Sequence, residues 1–405
     1  MKSHSLICAA LAMGCAQNTL AQSTLTSTAS TFNPAISLTL DGRYVSYDND
    51  SEYELPGFML GGEAGRNEQG FQLGHNELSL SGNIDDMFYA KFTAAIAEHE
   101  GETEMEVEEA VIQTSGLGHG ITIKAGRFYS DIGYLNNQHA HAWDFTDAPL
   151  VYSALFGNQL IDDGLQFSWI APTDLFIRLG VETTRGERFP AGGASNDGRG
   201  AQSVFAEFGG DAGISHAWQL GFSHWRADVE DRQSGGHAHD ETVTETPSFS
   251  GDSEISAIDM VWKWAPDGNK RERNLTLQGE YFTRDEDGEI KLLGSDPLES
   301  SSYQGEQKGW YLQGVYQFKP RWRIGYRHDQ LQADNRGDDA DVLAEAGLDD
   351  EDHTPKRATL MLDYSHSEYS RIRLQYAKDD SYEDSDSIVY LQYIVSLGAH
   401  GAHRF

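Results

Sequence analysis

The sequence predicts an all-β fold, a 16-stranded antiparallel transmembrane β-barrel with short periplasmic turns and long external loops. Three observations carry that expectation. Apolar and polar residues alternate in segments of about ten residues, the links between those segments alternate in length, and the chain ends on an aromatic residue in phase with the apolar face.

The alternation begins with Ile36, Leu38 and Leu40 on one face and Ser37, Thr39 and Asp41 on the other. It returns at Phe88 to Ile96, Leu175 to Val181, Leu275 and Leu277, Trp310 to Tyr316, Trp322 to Tyr326, Leu360 and Leu362, and Ile372 to Tyr376. Successive strand side chains point to opposite faces, so each segment has one lipid-compatible face and one wet face.

Strand spacing separates a membrane barrel from a soluble β-sandwich. Short links occur at 83–86, 116–118, 172–174, 210–214, 266–272, Pro320 and 367–368, and they read as periplasmic turns. Between them fall long links at about 48–70, 131–163, 185–199, 228–252, 285–307 and 333–355, with shorter members near 99–104 and 380–385. An even strand number places both ends of the barrel on the periplasmic side.

The last strand runs from Asp386 towards Phe405, and Val389, Leu391, Tyr393, Val395 and Leu397 share the phase of that terminal Phe405. Such a strand suits recognition by barrel-assembly machinery. His400 and His403 fall within it near the periplasmic end.

Residues 1–21 read as a signal peptide, with Lys2, an apolar stretch from Leu6 to Met13 and Thr19-Leu20-Ala21 before the cut. A short lead covers 22–31 and the barrel 32–405. Both cysteines, Cys8 and Cys15, lie in the signal segment, so the mature barrel is expected to carry no thiol. Nothing after it approaches the roughly 18 consecutive apolar residues of a membrane helix. With 64 acidic against 30 basic residues and a net charge of -34, nucleic acid is excluded as a partner. Outer-membrane lipid and lipopolysaccharide, bridged by divalent ions, are the expected surroundings.

The run from Glu108 to Gly133 contains Glu-Glu-Ala-Val-Ile-Gln-Thr, then Gly-Ile-Thr-Ile-Lys-Ala-Gly-Arg-Phe, then Ile-Gly. It resembles a strand pair and following loop of the phosphate-selective porin family, over about a quarter of the chain. The resemblance implies a 16-stranded, homotrimeric outer-membrane porin whose third external loop, 131–163, folds inward as the constriction. This loop departs from the family pattern: it has no Lys or Arg, and offers Asp131, His139, His141, Asp144, Asp147, Asp162 and Asp163 instead. An anion filter needs cationic side chains to replace water, so phosphate specificity is not carried over.

On neighbouring late strands, Arg323, Arg327, Arg357, Arg371 and Arg373 share the polar phase and are expected to form a basic lumen wall facing the acidic loop across the pore. Imidazole and carboxylate are ligands for first-row divalent ions. The pairs His139 and His141, His237 and His239, and His400 and His403 are therefore candidate sites for transient Zn2+, with no resident cofactor expected. Plain hydrogen bonding of the loop to the wall accounts for His139, His141, Asp144 and Asp147 equally.

No Gly-x-Ser-x-Gly, His-Glu-x-x-His, P-loop or dinucleotide fingerprint is present, so no enzymatic activity is expected. The expected function is diffusion of small hydrophilic solutes across the outer membrane through an acidic, cation-favouring mouth. A zinc-associated selective channel is the alternative, and a barrel enzyme or a structural protein with a closed pore is the third.

Overall fold

The computed structural model describes residues 34–49, 54–99, 102–192, 199–234, 245–295, 297–382 and 385–398. The signal segment, His237, His239, His400, His403 and Phe405 lie outside these residues.

Alternating sequence becomes an antiparallel barrel. Its strands are β1 (Ala35–Tyr47), β2 (Gly70–Leu73), β3 (Asn76–Asn83), β4 (Phe88–His99), β5 (Glu102–Thr114), β6 (Ile121–Tyr129), β7 (Ile161–Ile170), β8 (Phe176–Thr184) and β9 (Ala201–Asp211). The second half contains β10 (His216–Gln233), β11 (Thr246–Trp264), β12 (Asn274–Leu293), β13 (Glu299–Lys319), β14 (Trp322–Arg336), β15 (Lys356–Ser367), β16 (Ser370–Asp380) and β17 (Asp386–Gly398). Each pairs with its sequence neighbour, and β1 pairs with β17 to close the ring. Segments β2 and β3 both pair with β1 and form one interrupted strand, so the described residues make 16 barrel strands, as the sequence predicts.

The barrel turns its apolar side outward. Leu40, Ile112, Val181, Met260, Leu312, Leu360 and Leu391 stand 45–57% exposed in a lipid-facing belt. Polar residues such as Arg327, Thr359, Arg373 and Gln375 are at most 1% exposed and face inward. Closure pairs the backbone groups of every strand, which lets so polar a chain cross a bilayer.

Two expected loops are strand for most of their length. Residues 228–252 and 285–307 belong largely to β10–β13, which reach 18 to 21 residues, against roughly 9–11 needed to cross a bilayer. The sequence reads as loop there because the outward face changes from apolar to acidic. Exposed Asp228 stands opposite Asp252, Asp252 opposite Asp287, and Glu254 opposite Asp285, which in turn faces Glu306. The ladder continues beyond the lipid belt as a wall covered in carboxylates.

The largest apolar core lies inside the barrel. Leu55, Phe58 and Met59 from the first external loop meet a helix α1 (Leu150–Phe156) and a second helix α2 (Ala340–Glu345) with its neighbour Leu348. These pack on wall residues Trp225, Phe249, Phe282, Tyr303, Tyr311 and Leu331. All seven residues of α1 are buried. The external half of the lumen is therefore filled where β10–β14 form the wall.

Candidate functional site

Loop 131–163 enters the barrel interior, and its polar groups meet the wall in pairs. Its neck closes where Ser130 N–H donates to Leu160 O at 3.0 Å, while the Asn136 amide donates to both Ser130 O and Leu160 O. Gly133 sits at φ +65°, and a Cβ there would stand 2.7 Å from the Tyr152 hydroxyl and 2.9 Å from the Phe282 ring. Only glycine fits that inward turn without strain.

Buried Glu280 organises the next turn. It accepts from the backbone N–H groups of Tyr134 and Leu135 at 2.8 and 3.0 Å, and from the hydroxyls of Tyr152 and Tyr311 at 2.9 and 2.5 Å. Helix α1 has Pro149 at its N-cap and no side-chain cap of its own, so Asp329 on β14 accepts from Leu150 N–H at 3.1 Å. A carboxylate at that end also meets the positive end of the short helix.

Arg323, Arg327, Arg357, Arg371 and Arg373 lie on neighbouring β14, β15 and β16, and the acidic loop touches them rather than facing them across an open pore. Arg323 donates to Asp144 at 2.6 Å; Arg327 and Arg357 both donate to Asp147 Oδ2, at 2.9 and 2.8 Å. Arg371 and Arg373 donate to the backbone oxygen of Trp143 at 3.2 and 2.9 Å. The two charge sets neutralise each other by contact. Burial pushes the Asp144 and Asp147 carboxyls up, but the adjacent arginines outweigh it and hold both below the ordinary carboxylate value.

The remaining loop carboxylates are paired as well. Asp131 accepts from Arg178 at 2.5 Å and from Gln166 at 2.8 Å; Asp162 accepts from Gly186 N–H at 2.7 Å; Asp163 accepts from Arg127 at 2.7 and 3.0 Å. Charge-assisted bonds of this kind are among the stronger ones available to a loop.

The histidines of the loop enter a second constellation. His139 precedes and His141 lies within a short 3-10 turn (Ala140–Ala142), with their rings stacked 5.7 Å apart. His139 Nε2 lies 2.8 Å from Glu109, and Nδ1 lies 3.0 Å from Glu77 Oε2 and 3.4 Å from Glu108 Oε2. His141 Nδ1 is 2.7 Å from Glu77 Oε1, and Lys91 pairs with Glu109. Burial lowers the His139 pKa, but the surrounding glutamates outweigh it and hold the ring well above its ordinary value.

Sequence reasoning missed His75, Glu77, Glu108 and Glu109, and two bulges explain why. Between Thr39–Glu77 and Gly42–Leu73, three residues of the second strand face two of β1; between Thr93–Glu109 and Ala94–Val107, Glu108 has no partner. Each extra residue re-aims a side chain. His75 and Glu108 thereby join Glu77 and Glu109 on the lumen side, and His75 Nε2 stands 2.6 Å from Glu108. The available signal was Glu108-Glu109 itself, two adjacent carboxylates in a strand whose alternation would put one of them in lipid.

An uncharacterised protein of Aquifex aeolicus (strain VF5) is 30% identical over 404 aligned positions, spanning 92% of this chain and 80% of that one. The chain belongs to that protein's family. No protein-family model matches the sequence. Solved structures sharing the fold include OmpT, an outer membrane protein of Vibrio cholerae, in its in-vitro folded trimer form. Its TM-score is 0.54 at 9% identity, over 90% of this chain and 99% of that one. The anion-selective porin of Comamonas acidovorans gives 0.53 at 11%, over 90% and 99%, and the outer membrane channel DcaP of Acinetobacter baumannii 0.51 at 12%, over 90% and 96%. The fold is that of the outer-membrane porins.

Proposed function

We propose that the chain is a porin-type channel for small hydrophilic solutes, in which loop 131–163 narrows the lumen and the acidic external wall favours cations at the mouth. One observation carries this reading: an inward loop bonded to the wall at both Asp144 and Asp147, inside a barrel whose lower walls keep half-open polar groups. Arg323 and Asp144 retain 23% and 21% side-chain exposure, Lys91 29%, and Arg178 17%. With α1 docked, such a channel is narrow. Release of the loop widens it.

The likeness to phosphate-selective porins supports the architecture only. Arg127, within the resembling run but on β6, is taken up by Asp163, and loop 131–163 has no Lys or Arg to offer an anion. The exposed carboxylates of β10–β13 instead raise local cation concentration without a specific site. Conductance and reversal potential in planar bilayers under a KCl gradient test the proposal. Small, cation-selective steps support it; anion selectivity refutes the acidic-mouth argument, and a silent bilayer after loop removal refutes the channel.

A further inference from the structure

We propose that the buried Glu77 and Glu108 and the partly buried His75 and His139 side chains form a binding site for a first-row divalent metal ion of the Zn2+ type, with His141 beside it, joining the inward loop to the barrel wall. The inference rests on the geometry of this cluster and not on conduction.

Nitrogen and oxygen ligands around a tetrahedral Zn2+ at about 2.0–2.1 Å lie ~3.3 Å from one another. The corresponding separations here span 2.6 to 3.6 Å: His75 Nε2 to Glu108 Oε1 and to Glu77 Oε1 at the extremes, with His139 Nδ1 at 3.0 and 3.4 Å from the other two oxygens. His75, Glu77 and Glu108 each offer an atom within 4.8 Å of the others. These three already converge, and His139 Nδ1 stands beside the second oxygens of Glu77 and Glu108.

The hydrogen-bond pattern gives a second, independent observation. His139 Nε2 lies 2.8 Å from Glu109 and 3.0 Å from Lys91 Nζ, and its Nδ1 is aimed at two carboxylates, Glu77 at 3.0 Å and Glu108 at 3.4 Å. His139 Nδ1 and Glu108 Oε2 are buried without a hydrogen bond of good geometry, and so is the neighbouring Tyr129 hydroxyl. Buried polar atoms are rarely left in this condition. A divalent cation that displaces the ring proton would satisfy the imidazole and both carboxylates together. Glu109 then completes a carboxylate–histidine–metal arrangement, orienting the ring from behind.

Mixed imidazole and carboxylate donors suit Zn2+ and its first-row neighbours better than Ca2+ or Mg2+, which take oxygen ligands. An approach path exists as well. Glu77 and Glu108 are 3–4% exposed, but the three histidines keep 15–18% of their side chains open. Because His75, Glu77 and Glu108 come from the wall and His139 from the loop, the ion would hold the loop in place.

The test is calorimetric titration of the EDTA-treated, folded full chain in detergent with Zn2+, alongside Co2+ absorption. The expected result is one saturable ion per chain and the strong visible bands of four-coordinate Co2+. His139→Ala and Glu108→Gln, each shown folded by heat-modifiable gel migration, should weaken binding at least about tenfold. His237→Ala with His239→Ala should leave it unchanged. No saturable binding, only the weak spectrum of six-coordinate Co2+, or loss of the ion in the His237/His239 variant overturns the proposal. The wild-type Co2+ spectrum decides it even where a variant fails to fold.

Discussion

Replacing Asp147 with Asn isolates the charge that holds the loop against the basic wall. Its Oδ2 accepts from Arg327 and Arg357 at 2.9 and 2.8 Å, and its Oδ1 accepts from Gln375 at 2.6 Å. The arginines are 1% and 6% exposed, and Asp147 is 12% exposed, so solvent screens the three only weakly. Breaking a buried ion pair costs about 3–5 kcal/mol. Each arginine keeps a second carboxylate, Asp329 for Arg327 and Asp379 for Arg357, which places the loss near the lower figure. About 3 kcal/mol is on the order of a hundredfold in the ratio of docked to released loop. Single-channel recording reads that ratio as the fraction of time spent in a wider state. Asp147→Asn should raise it by roughly that factor while the heat-modifiable gel shift is retained. Indistinguishable wild-type and variant traces would refute the claim that this pairing holds the loop.

Three further outcomes follow from the same contacts. Asp144 and Asp147 have depressed pKa values, so their contribution to docking is present above the ordinary 3.8 and lost as pH falls through the lower folded values; conductance should rise reversibly in that acidic window, and a flat profile from pH 5 to about 2 counts against it. His139 has a raised pKa, so in the metal-free protein its contribution is full below about 6.5 and disappears only as pH rises through a value well above it; limited proteolysis of the loop should therefore increase at alkaline pH, and loss of protection between pH 5 and 6 would contradict the assignment. Asp252→Asn combined with Asp285→Asn removes carboxylates that face other carboxylates across the long strands. Its Tm should exceed wild type at low salt, with the gain shrinking in high salt, and a lowered Tm would show that these strands need the charge.

Strand number and closure were legible because lipid enforces a simple rule on every outward residue, and Val389, Leu391 and Tyr393 obey it in phase. The same rule ends where lipid ends. Beyond the belt, Asp228, Glu254 and Asp285 occupy outward positions of continuing strands, and polarity alone made them read as loop. Arg323, Arg327 and Arg357 were found from alternation, but their partners were not, since Asp144 and Asp147 lie about 180 to 210 residues away in the chain. The histidine cluster was legible only by half. His139 and His141 are conspicuous in sequence, whereas His75 and Glu108 reach the lumen through bulges that break the period on which the reading relied. The apolar filling of the barrel had no periodic signal, because Leu55, Phe58 and the α1 residues belong to loops.

In the proposed channel, loop 131–163, carrying α1, limits passage through the barrel. Single-channel conductance of the wild type against a chain lacking residues 140–157 tests it most directly. Small steps are expected for the intact chain and severalfold larger, steadily open steps for the shortened one. Equal conductance in two folded barrels would contradict it.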